Sequence, residues 1–173
     1  MEQMFEIVLI SLCAIPLIQD LRTRTISLWP LIAIFVCTVN LAMANKGFYD
    51  TSMDFGINIG ILIFQGLCLK AWFSLRERKL AGITDRYIGL GDIAFFISLA
   101  PLFAPVNFVL FVLVCSVVAI VVHLLTALWK HSPSRDIPFA SALAFCAMIV
   151  LLGQMIFPHF QASNPNWIFE WYG

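Results

Sequence analysis

Charge is what this sequence has least of. Lys, Arg, Asp and Glu make up 12% of its 173 residues, about half the usual share of roughly 25%. Ten basic and ten acidic residues cancel to a formal net charge of zero, and no nucleic-acid partner is expected. The five cysteines (Cys13, Cys37, Cys68, Cys115 and Cys146) include no CxxC pair and no histidine at zinc-site spacing. They read as small apolar filler for helix packing, so neither a disulfide, a metal site nor a cofactor is expected. Met1-Glu2-Gln3 lacks the positive flank of a secretory signal, and no small-residue cleavage site follows the first apolar run; that run reads as a retained helix. There is no internal repeat, low-complexity tract or long linker, which makes residues 1–173 one compact unit.

Apolar residues are what the chain has instead. They make up 61% of it, with a mean hydropathy of +0.94, whereas soluble domains hold about 45–50%. A soluble fold cannot hide such an excess, so a bilayer is its natural solvent. Six apolar stretches run over about 4–19, 26–44, 55–75, 87–103, 106–129 and 138–157. A hydrocarbon core of about 30 Å takes roughly 17–25 apolar residues per helix, and none of the stretches alternates with period two. The expected fold is all-α: a polytopic bundle of about six transmembrane helices. The tail over 159–173, which ends Trp-Ile-Phe-Glu-Trp-Tyr-Gly, is expected at the lipid interface, where Trp and Tyr collect.

Eight of the ten basic residues fall in the loops after helices one, three and five: Arg22, Arg24, Arg76, Arg78, Lys79, Arg86, Lys130 and Arg135. Lys46 stands alone on the other side, and Lys70 is able to snorkel from the third helix. The positive-inside rule makes the three basic loops cytoplasmic and puts both termini outside.

Ionisable groups inside an apolar slab are costly and mark functional sites. Asp92, in Gly89-Leu90-Gly91-Asp92, and Asp20, which ends the first helix, both fall at the cytoplasmic ends of their helices. The glycines let other backbones or a substrate approach the Asp92 carboxylate. Two carboxyls at one depth in a poorly solvated site share a proton. One can then take a proton from water while the other donates to the carbonyl under attack. The pair titrates as a unit, so neither role is assigned to one residue. Taken singly, Asp20 is also a juxtamembrane carboxylate balanced by Arg22 and Arg24.

These residues resemble the motifs of the bacterial type IV prepilin peptidases, GxGD aspartyl proteases of the membrane. Gln19-Asp20-Leu21-Arg22-Thr23-Arg24-Thr25-Ile26 is similar to that family's Asp, basic stretch and Ile-Pro-Asn, with Ser27 and Leu28 in place of the Pro and Asn. Gly89, Gly91, Asp92 and Ile93 match the second motif, with Ala94 where Lys is usual. Ile137-Pro138-Phe139 matches a third, with Ser141 at a position where the family often has Pro. The resemblance implies Asp20 and Asp92 as the catalytic pair and Gly89, Gly91, Ile137, Pro138 and Phe139 as supporting residues. It implies a substrate that is a pilin-like or pseudopilin-like precursor with a short basic leader and a hydrophobic helix. Cleavage would fall at the cytoplasmic face of a bacterial inner membrane. Peptidase activity without methylation is expected, because no CxxC-marked zinc domain is seen. A fainter likeness to presenilin-type proteases would need a YD motif. Tyr49-Asp50 supplies the letters but falls in an outward loop.

Other residues carry blander readings. Asp85 and Asp136 suit solvated pairing with Arg86 and Arg135, and Asp85 would share a face with Asp92 if the helix reached that far. His123 suits a hydrogen bond between helices, and Gly56, Gly60 and Gly66 suit close helix packing or a homodimer face. Two further functions stay open: a small proton- or cation-coupled carrier using Asp92, and a catalytically inactive assembly factor of the same fold.

Overall fold

Backbone polarity dictates the outcome: with no water to hydrogen-bond N–H and C=O groups, an apolar chain satisfies them within helices. The computed structural model describes residues 2–23, 25–77, 89–129, 139–157 and 160–165, and these are helical almost throughout. The helices are α1 (Glu2–Thr23), α2 (Leu28–Lys46), α3 (Phe48–Glu77), α4 (Leu90–Leu99), α5 (Pro105–Trp129) and α6 (Phe139–Ile156), with a 3-10 turn, Ala100–Leu102, after α4. Five are long and apolar enough to cross a membrane; α4 is the short one.

Two boundaries differ from the sequence expectation. The stretch over 45–54 is not a loop. Lys46 ends α2, Phe48 begins α3, and Gly47 is the whole connection. Its φ of 82° and ψ of 170° lie in a region that only glycine enters without strain. Polar side chains here hydrogen-bond back into the helix: Thr51 Oγ1 donates to the Gly47 carbonyl at 2.8 Å and Ser52 Oγ to the Phe48 carbonyl at 2.8 Å. Composition alone hid the helix. The second difference is the fourth stretch, expected over 87–103. Gly89 is extended, α4 opens at Leu90, and Pro101 enforces the 3-10 turn. Helix and turn together rise about 21 Å, short of a core of about 30 Å.

That shortfall is made up by chain that returns from the end of α6. Ala104 N–H donates to the Ala162 carbonyl at 3.0 Å. Asn107 Nδ2 donates to the Ala162 and Asn164 carbonyls, both at 2.9 Å. Ala162 is buried. Residues 160–165 of the expected interfacial tail are thus docked beneath the α4–α5 turn, and residues 166–173 lie outside the described part.

The core joins Leu9 and Cys13 of α1, Leu31, Ile34 and Leu41 of α2, Phe95 and Leu99 of α4, Phe108 and Phe111 of α5, and Leu143 and Leu151 of α6. The widest interface is α1 on α6. Helix α6 carries Ala140, Ala144 and Ala147, all buried, and small residues let helices approach closely. Polar side chains then pin the short α4 among its neighbours. Thr38 Oγ1 of α2 donates to the Ser98 carbonyl at 2.7 Å. Asn58 of α3, fully buried, donates from Nδ2 to the Ala100 and Phe103 carbonyls at 2.9 Å each. These are the carbonyls that the end of α4 and its turn would otherwise leave bare. Among the described residues nothing packs on Gly56, Gly60 or Gly66: a Cβ at any of them would meet nothing within 4 Å.

Candidate active site

Three chain segments meet at the end of the bundle that carries the C-terminus of α1 and the N-termini of α4 and α6. Asp20 comes from the last turn of α1, one turn after Pro16. Helix α1 runs past it to Thr23, so Asp20 lies inside the helix rather than at its end. The turn to α2 is tied down by its own polar groups. Ser27 N–H donates to Gln19 Oε1 at 3.1 Å, Thr23 Oγ1 donates to the Gln19 carbonyl at 2.9 Å, and the Thr23 and Thr25 hydroxyls are 2.9 Å apart. Asp20 is only 7% exposed, and such a carboxylate needs hydrogen bonds. It has one from another helix: Ser141 N–H, at the start of α6, donates to Asp20 Oδ2 at 2.7 Å.

Asp92 sits in the first turn of α4. Its N–H donates to the Gly89 carbonyl at 3.0 Å, and its carboxylate is hydrogen-bonded in return by the Gly89 backbone. This exchange between the residue before the helix and the third helical residue has the logic of a capping box. A carboxylate there also suits the positive end of the helix dipole. Capping alone would account for an acid at this position. It would not account for its company, since Asp20 lies close enough for the two carboxylates to repel one another.

Each glycine of Gly89-Leu90-Gly91-Asp92 answers to a specific neighbour. A Cβ on Gly89 would lie 3.1 Å from Asp92 Oδ2. A Cβ on Gly91 would lie 3.1 Å from Ile26 Cδ1 and 3.5 Å from Ile26 Cβ. Gly91 therefore lets α4 press against Ile26, six residues beyond Asp20. The third segment closes the triangle. Phe139 packs on Phe96 of α4, ring centroids 5.8 Å apart, and two residues later Ser141 holds Asp20.

The remaining expectations divide as follows. Ile137, Pro138, Asp85 and Asp136 lie outside the described residues. Gly89 is extended and α4 opens at Leu90. Tyr49 and Asp50 are exposed in the first turn of α3, at the opposite end of the bundle. His123 is partly buried in α5. Among the described residues no three His, Cys, Asp or Glu side chains come together to hold a metal ion. Sequence reasoning missed the Ser141 N–H, since a backbone donor leaves no mark in residue type. It also passed over Asn58, although an Asn inside an apolar run is itself a signal for an interhelical hydrogen bond.

No family model matches the chain, and neither the curated proteins nor the solved structures provide a match.

Proposed function

We propose that this chain is a membrane-embedded aspartic endopeptidase that removes the short basic leader of a prepilin-like or pseudopilin-like precursor. The observation that carries the reading is that the charge of Asp20 bears on Asp92. Two acids from helices far apart in sequence lie within reach of each other's charge, at the bundle end that also carries Ile26, Gly89 and Phe139. Keeping two like charges together in a poorly solvated place is unfavourable unless a proton is shared between them, and a shared proton is what acid–base hydrolysis requires.

In the reaction, the ionised carboxylate takes a proton from a water molecule as the water oxygen bonds to the peptide carbonyl carbon. The protonated carboxyl gives its proton to the carbonyl oxygen. The gem-diol then collapses: the C–N bond breaks, the amine nitrogen receives a proton from the carboxyl that had taken one from water, and a hydroxyl proton returns to the other carboxylate. The products are a free leader carboxylate and a free amine on the mature helix.

The setting suits the substrate class. A leader carrying positive charge stays in water, while the hydrophobic helix that follows lies in lipid, so the scissile bond falls at the membrane boundary. Asp92, in the first turn of its helix, suits such a boundary. Under the positive-inside assignment that boundary is the cytoplasmic face of a bacterial inner membrane, with both termini outside. A carrier would place its acid near the midplane, which the position of Asp92 does not favour.

The test is processing of a co-expressed prepilin-like substrate. Asp20→Asn and Asp92→Asn should each abolish cleavage while leaving the protein in the membrane. Cleavage at the wild-type rate by either variant refutes the proposal. Cleavage of a synthetic leader–helix peptide by the purified protein separates the enzyme from an inactive assembly factor.

A further inference from the structure

The hydrogen bond from Ser141 to Asp20 joins helices 121 residues apart in sequence, is buried, and is only 2.7 Å long. Its donor is a backbone N–H, so its direction is fixed: Oδ2 accepts. A carboxyl oxygen that carries a proton is a poor acceptor, so Oδ2 is held in the acceptor role. The donor also lies in the first described turn of α6, where helix N–H groups lack partners within the helix and the helix dipole is positive. Phe139, two residues earlier, fixes that turn by packing on Phe96 of α4. The same turn of α6 is therefore anchored on the helix of Asp92 and bonded to Asp20.

We propose that the backbone N–H of Ser141 is a positioning group for the reaction: it holds Asp20 Oδ2 as an acceptor and confines proton exchange by Asp20 to Oδ1. The proposal rests on the peptidase reading above. It makes the first turn of α6 the part that sets the orientation of Asp20 against Asp92. It assigns the role to the backbone N–H of residue 141, which a side-chain substitution keeps and proline removes.

Substitutions at 141 divide along that line. Ser141→Ala keeps the N–H and should lower kcat less than Ser141→Pro does. Ser141→Pro removes the N–H and should lower kcat about 10- to 100-fold, the range for losing a hydrogen bond to a charged group, with KM unchanged; Tm should fall as well, since a buried carboxylate loses its donor. A first-turn proline is compatible with this fold, as Pro30 is the third residue of α2. Wild-type kcat in Ser141→Pro, or an equal loss in Ser141→Ala, overturns the proposal. If the proline variant does not fold, the amide resonance of Ser141 in 15N-serine-labelled protein decides. It should move upfield in Asp20→Ala and stay in place in Asp92→Ala; no movement in Asp20→Ala overturns the proposal. The two levels fail separately. Active Asp20→Asn and Asp92→Asn enzymes remove the peptidase reading, whereas inactive ones beside a fully active Ser141→Pro remove only the role of the N–H.

Discussion

Replacing Gly89 by Ala would add one methyl group beside the Asp92 carboxylate and change little else. Gly89 has φ −66° and ψ 135°, a conformation that alanine adopts without strain. Its backbone N–H and C=O, which bond Asp92, are retained. The added Cβ would stand 3.1 Å from Asp92 Oδ2, where ordinary van der Waals contact begins at about 3.4 Å or beyond. The carboxyl must therefore retreat by a few tenths of an ångström or turn about χ1. Reacting groups misplaced by about 1 Å can lose about 100-fold in rate, so a shift of this size is expected to lower kcat about 10-fold. Stability should fall by about 1 kcal/mol at most, since Gly is preferred to Ala at the residue that precedes a helix. Gly91→Ala is the matched control. Its Cβ would meet Ile26 instead, and a packed side chain that must shift costs about 1 kcal/mol. It should appear as a lower Tm with a smaller loss of kcat. The assay is cleavage of a leader–helix peptide by the purified protein in nanodiscs, with Tm measured on the same samples. Wild-type kcat in Gly89→Ala, or a larger kcat loss in Gly91→Ala than in Gly89→Ala, refutes the claim that these glycines serve different neighbours.

Two further substitutions probe the frame that holds the site. Asn58→Leu leaves the Ala100 and Phe103 carbonyls without their donor inside the bundle and should destabilise the protein by about 2 kcal/mol, read as a lower midpoint in a detergent-denaturation series; an unchanged midpoint would show that α4 is held by other contacts. Gly47→Ala forces a Cβ into the φ 82° connection and should cost about 1–3 kcal/mol, read as a lower Tm with kcat preserved, because the turn lies at the end away from Asp20 and Asp92.

Long apolar runs carried most of the fold in plain view. Helix formation in lipid is forced by backbone hydrogen bonding, so a run of sufficient length has one available structure. The exceptions have physical causes. Residues 48–54 looked like a loop because Tyr49, Asp50, Thr51, Ser52 and Asp54 are polar, yet polarity at a membrane boundary is no obstacle to helix. The fourth run looked full-length because Leu102 and Phe103 are as apolar as a helix interior, while the break comes from Pro101 and from the extended Gly89. Asp20 and Asp92 were legible as candidates because charge in such a chain is rare. Their proximity was not, since it depends on helix rotation set by the α1–α6 and α2–α4 interfaces. Nor was the Gly91–Ile26 contact: the sequence shows two motifs, and only packing shows that one glycine exists to admit the other motif's isoleucine.

The connection between α2 and α3 bears on how the chain enters a membrane. The positive-inside orientation proposed above puts this turn outside, so on that reading it has to be carried through hydrocarbon during insertion, and the cost rises with the polar matter carried. Here the linking segment is a single glycine, and the lysine beside it arrives with its counter-ion: Lys46 Nζ lies 2.6 Å from Asp54 Oδ2. Translocating that cation as half of a neutral couple spares the bilayer a bare ammonium, so α2 and α3 are built to cross together as one passenger.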